Sequence, residues 1–178
     1  MKSQLLIVTS SLMVLVLAAH AQPAPKSASA PAAALTLPSI RVVKTGPENT
    51  VRHIDGKELL AAMNSKKPTD VLTEVLLSDD EHHRVSNVLR DKDGLVEFHD
   101  TWYDYIFVQA GEGSFVTGGK MVGALDSGPG EKRAKSIVGG KTTNLHAGDY
   151  FLVPPMTPHQ MFVAKGQQLR YIVFKFRK

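Results

Sequence analysis

The sequence predicts an all-β barrel or sandwich. From Asp70 onward, short runs alternate apolar and polar residues with period two, and clusters of glycine or proline separate the runs. After Asn64 little of the chain carries a helical period. With 178 residues, 43% of them hydrophobic, the chain suits one globular domain plus extensions.

The extensions come first. Met1-Lys2 is a short basic start, residues 5–19 form an apolar run, and Ala19-His20-Ala21 has the small-x-small pattern of a cleavage site. Residues 1–21 are therefore predicted to be a secretory signal peptide. The run falls short of the ~20 apolar residues that a spanning helix needs. No stable membrane anchor is expected after cleavage, and no cysteine follows for lipid attachment. Export to the periplasm or beyond the cell is the expectation. Residues 22–37 are rich in Ala, Pro and Ser and read as a flexible linker.

The chain has no cysteine, so an exported domain must hold together through its core, with a metal as a further means. Removal of residues 1–21 leaves 20 basic against 17 acidic side chains, a mild bias. No basic stripe interleaves with aromatics, so a nucleic-acid partner is not expected.

Residues 38–68 are predicted to hold a short strand over 40–43 and one helix. Asp55-Gly56-Lys57-Glu58 reads as a capping box in which Asp55 accepts from the backbone of Glu58. Leu59, Leu60 and Met63 give that helix an apolar face, and Asn64-Ser65 with Pro68 ends it. Residues 69–178 form the barrel. Its strands are predicted over 71–77, 83–90, 97–99, 105–109, 114–117, 150–153, 160–164 and 169–176. Asp79-Asp80-Glu81 turns the first of these into the second, and Asp93-Gly94 reads as a hairpin signal. Residues 118–147, with two Gly-Gly pairs and a basic cluster at Lys132, Arg133 and Lys135, are expected to form a mobile loop with a solvated basic face.

Glu97 and His99 lie two apart on a strand and so share a face. Asp104 opens the next strand, and His159 follows the proline-built turn Pro154-Pro155-Met156-Thr157-Pro158. Two imidazoles with carboxylates suit a divalent transition metal such as Fe, Mn, Zn or Ni. His82 and His83 are adjacent and face opposite ways, so strand-end surface positions suit them, and His53 and His146 read as exposed or structural. Asn87 shares the face of Val85 and Leu89 and needs a polar partner, which makes it a pocket candidate. Trp102 and Tyr103 are placed in the turn beside the metal, as pocket walls or as rim packing. No nucleophile elbow, phosphate-binding glycine loop or cysteine nucleophile is present.

Over residues 69–176 these stretches resemble the cupin superfamily. The first motif of that family carries His-x-His, an acidic ligand four or five positions on, and a glycine seven after that. His99, Asp104 and Gly111 match it. The second motif, a glycine, five residues, a proline and a histidine five positions later, is matched by Gly148, Pro154 and His159. The resemblance implies a double-stranded β-helix, or jelly-roll, barrel that binds a divalent metal through Glu97, His99, Asp104 and His159. It implies a small-molecule ligand and a homodimer formed by strand exchange, with residues 40–43 as the segment to suspect. It also implies isomerase, lyase or oxygenase chemistry on a small oxygenated organic molecule.

The chain departs from the family pattern at three positions: Glu97 replaces the first histidine, Asp104 the usual glutamate, and Met156 the glycine of the second motif. Asp104 has about 1.5 Å less reach than a glutamate, so it stands either as a ligand or as a group orienting His99. A non-catalytic module that binds a small ligand or the metal itself is the alternative, and a structural barrel that pairs with another copy is the third.

Overall fold

Fourteen strands and one helix make up the described residues. They are β1 (Ile40–Lys44), α1 (Gly56–Met63), β2 (Leu72–Asp79), β3 (His83–Arg90), β4 (Val96–His99), β5 (Trp102–Ala110), β6 (Gly113–Thr117) and β7 (Lys120–Val122). Then come β8 (Leu125–Gly128), β9 (Glu131–Ala134), β10 (Ser136–Val138), β11 (Lys141–Leu145), β12 (Tyr150–Val153), β13 (His159–Val163) and β14 (Leu169–Arg177). The computed structural model describes residues 35–46 and 50–178; the predicted signal peptide and most of the linker lie outside them.

Two six-stranded sheets face each other. One has the order β1-β2-β3-β14-β5-β12 and the other β11-β6-β13-β4-β9-β8, while β7 and β10 pair as a separate ribbon. Alternate residues point inward from both sheets. Leu72, Val88, Ile106, Val108, Leu169, Tyr171 and Val173 from the first sheet meet Phe115, Leu145 and Met161 from the second in one core. Polar side chains also occur inside, among them Ser86, which donates to Glu74 on the neighbouring strand.

The outer face of the first sheet is covered by α1, whose Met63 packs with Val75 and Leu89. Asp55 caps this helix as expected, but its carboxylate accepts from the Lys57 amide (2.8 Å) instead of from Glu58. The acidic turn after β2 is also as read: Asp80 accepts from the amides of His82 and His83. In the monomer β1 pairs in parallel with its own β2.

Three expectations require correction. Asp93-Gly94 does not close a hairpin, because β3 and β4 belong to different sheets. Instead Asp93 accepts from the Val163 amide, and the Gly94 amide donates to the Met161 carbonyl, which fixes the crossing. Trp102 and Tyr103 belong to β5 and not to a turn. Residues 118–147 do not form a loop but hold β7 to β11. Their glycines are turn residues that let short polar strands reverse. Gly119, for example, sits at φ 73°, where an added Cβ would lie 2.6 Å from the Val138 carbonyl oxygen.

Candidate metal centre

The site is built from cross-strand neighbours at one end of the barrel. On β4, Glu97 and His99 point inward together. Antiparallel pairing sets Glu97 opposite both His159 of β13 and Arg133 of β9, and sets His99 opposite Glu131 of β9. On the facing sheet, Asp104 of β5 lies opposite Lys175 of β14. Side chains directly opposite on neighbouring strands interact most strongly, so register groups five of these residues on one sheet and two on the other, and the packing of the sheets brings the groups together.

Both imidazoles are anchored through Nδ1. His99 Nδ1 lies 2.5 Å from Glu131 Oε2, and His159 Nδ1 lies 3.0 Å from the Thr157 carbonyl oxygen. A carbonyl only accepts, so His159 donates from Nδ1 and keeps its Nε2 lone pair for the cavity. The two rings are 5.3 Å apart. His99 and His159 are each 5% exposed, and Asp104 is 3% exposed. Met156, which stands where the family has a glycine, takes a left-handed conformation with φ 62°, and its amide donates to the His99 carbonyl oxygen at 2.7 Å. The second motif is tied to the first through that bond.

The donor set fits a divalent ion. Glu97, His99 and His159 each offer one ligand atom, and these atoms lie within 4.8 Å of one another. Glu97 Oε2 is 3.6 Å from His99 Nε2, the kind of separation that two ligands on ~2.1 Å bonds adopt. Asp104 Oδ1 is buried without a hydrogen-bond partner. The other oxygen, Oδ2, lies 3.5 Å from Nε2 of both histidines and 2.7 Å from Lys175 Nζ. Asp104 is thus engaged by a lysine and stands outside the three-residue group. The carboxylate that β9 sets on His99 is Glu131, a role that the sequence had offered to Asp104.

Charge governs the site. Burial opposes ionisation of Glu97, but Arg133, Lys175 and the imidazoles outweigh it and lower its pKa to about 2. Burial likewise opposes the charged form of Asp104, yet Lys175 and both histidines hold it well below the carboxylate range. Lys175 is pushed up despite burial, chiefly by Asp104 and Glu97. For His99 burial favours the neutral ring, and Asp104 and Glu131 more than offset it. Arg133 lies 3.6 Å from Glu97 and 3.4 Å from Glu131, closing the network.

Three of these residues, Lys175, Glu131 and Arg133, escaped the sequence reading as site residues. The signal for Lys175 was present: it is in phase with Leu169, Tyr171 and Val173, which are buried. Of the pocket candidates, Trp102 lines the cavity, with Arg177 stacked 4.8 Å over its ring. Asn87 and Tyr103 do not line it. Asn87 is buried, but on the face of Leu89 that packs under α1.

A cavity of about 670 Å³ opens behind the site, walled by Ile106, Phe115, Met161 and Val173. Two facing six-stranded sheets closed around such a pocket, with Glu97, His99, Asp104 and His159 among its lining residues, define a cupin-type double-stranded β-helix. Solved structures similar to this chain include a cupin protein from Bacteroides fragilis (14% identity, 58% of this chain and 75% of that chain, TM-score 0.43). A protein with a double-stranded β-helix domain from Klebsiella pneumoniae is another (13%, 63% and 82%, TM-score 0.47). A third is the polyketide cyclase RemF from Streptomyces resistomycificus (18%, 61% and 66%, TM-score 0.41). No family model and no curated protein matches the chain.

Proposed function

We propose that this chain is an exported cupin that holds a divalent transition metal through Glu97, His99 and His159. In its barrel it converts a small oxygenated organic molecule by isomerase, lyase or oxygenase chemistry. The supporting observation is the convergence of two Nδ1-anchored imidazoles and one carboxylate on the wall of a cavity. A metal held there supplies Lewis acidity to a carbonyl or enolate oxygen. The chain's own groups supply the rest. Glu131 orients His99, Arg133 steadies Glu97, and the Asp104–Lys175 ion pair sets a fixed positive charge beside the reacting position. The apolar wall excludes water from a pocket of the size that small ligands occupy.

A second reading is a metal-free binding barrel. It is favoured by Lys175, whose ammonium already places a positive charge between Asp104 and His99. Screening metal-loaded protein with small hydroxy and keto compounds, under air and under argon, separates the two. Turnover that requires the metal and is lost in His159→Ala supports the enzyme. Tight binding with no turnover supports the binding module.

The proposal includes export by residues 1–21, checked by the N-terminal sequence of the secreted or periplasmic protein. It also includes a homodimer, checked by sedimentation. The outer face of β5, β12 and β14 exposes Phe107, Tyr150, Leu152 and Phe176, apolar area that a second copy would cover.

A further inference from the structure

Away from the metal centre, the cavity holds a second polar feature. Arg90 ends β3, in phase with Arg84, Ser86 and Val88, and lines the cavity. Its cross-strand neighbour on β14 is Leu169, whereas Arg84 is the neighbour of Lys175. Arg90 thus lies towards the end of β3 remote from Lys175. It is 3% exposed, and neither its Nε nor its Nη1 has a hydrogen-bond partner. Among the described residues no carboxylate forms an ion pair with it. The buried Tyr171 lines the same cavity.

A guanidinium removed from water with open donors is costly unless a matching acceptor completes it. A planar fork of N–H donors fits a carboxylate in two-point contact. Tyr171 strengthens the match, because its phenol O–H is a further donor on the same cavity wall. Gly94 shows that the chain makes room for this group. It lacks the positive φ of the turn glycines, and an added Cβ would lie 2.5 Å from Arg90 Nη1. The glycine that reads as a hairpin signal in the sequence therefore serves as clearance for the guanidinium.

We propose that Arg90 and Tyr171 bind a carboxylate group of the barrel's ligand, so that the ligand class is small organic acids. Their carboxylate is held at Arg90, while their oxygenated carbon faces Glu97, His99 and His159. The assignment builds on the proposed small-molecule site but does not need the metal.

The test uses wild-type protein, metal-loaded and metal-stripped, titrated calorimetrically with benzoate, 3-phenylpropanoate and 4-hydroxybenzoate beside the three corresponding amides. In parallel, NMR follows the arginine Nε–H signals, with that of Arg90 identified by its loss in Arg90→Gln. At least one acid is expected to bind about tenfold more tightly than its amide, in both metal states, and to shift the Arg90 signal. Tyr171→Phe should weaken the acid and leave the amide unchanged. If no acid binds, if acid and amide bind alike, or if Arg90→Gln binds acids as the wild type does, the proposal is overturned. Acid binding to protein that takes up no metal would sink the metal centre and leave this assignment standing. Metal uptake without discrimination between acid and amide would do the reverse.

Discussion

Lys175 Nζ lies 2.8 Å from His99 Nε2, so a lysine ammonium addresses the one lone pair that a metal ion would take. With Nδ1 committed to Glu131, His99 has a single nitrogen to offer. The ammonium and the metal therefore compete, and the ammonium is held in place by Asp104 at 2.7 Å.

Lys175→Met keeps the apolar stem and removes the competitor. Affinity for Zn²⁺, measured by titration against a chelator, should rise by about tenfold. The metal-free variant should lose about 3 kcal/mol of stability, because Asp104 is left buried without its partner. Adding Zn²⁺ should recover much of that loss. Unchanged affinity would mean that Lys175 does not share the lone pair.

Glu131→Gln tests the group that orients His99. A neutral amide holds the ring less firmly and lowers its basicity, so metal affinity should fall by about 10- to 100-fold with the fold intact. Equal affinity with an unchanged melting temperature would show that β9 is irrelevant to the centre.

Acid should destabilise the metal-free protein in a defined window. The Glu97 pKa is lowered from 4.5 to about 2, so the unfolded chain takes up a proton before the folded one does. The stability this contributes is present above pH 4.5 and is lost as pH falls towards 2. Asp104 acts in the same direction. Melting temperature should therefore decline through that range in the wild type and more gently in Glu97→Gln. Identical slopes would contradict the charge network.

Met156 bears a side chain at φ 62°, a conformation that costs a non-glycine residue roughly 1–2 kcal/mol. Glycine relieves the strain but adds about 0.4–1 kcal/mol of unfolded-state entropy. Met156→Gly should thus stabilise the protein by about 0.5–1 kcal/mol, raising the melting temperature by about 2–4 °C. A lowered melting temperature would mean that the Met156 side chain, though 69% exposed, contributes packing.

Most of the fold was legible because more and less buried residues alternate along β5, β12 and β14, and both motif histidines sit at strand ends. The misread interval, residues 118–147, consists of short strands, and two of them, β9 and β11, are held by pairing to β4 and β6 outside it. Pairing at that range leaves no local trace, so Glu131 and Arg133 could not be placed opposite His99 and Glu97. Asn87 shows a different limit. Periodicity identified it as sharing a face with Leu89, but not whether that face looked into the barrel or under α1. Lys175 and Arg90 carried a usable signal, since each is a cation in phase with buried residues.

The most direct test of the account is the metal content of untagged mature protein, by mass spectrometry, beside His99→Ala and His159→Ala. The structure predicts close to one transition-metal ion per chain, absent from both variants, with a lowered melting temperature in each. Wild-type protein that is folded, free of metal and no more stable than either variant would contradict the metal centre.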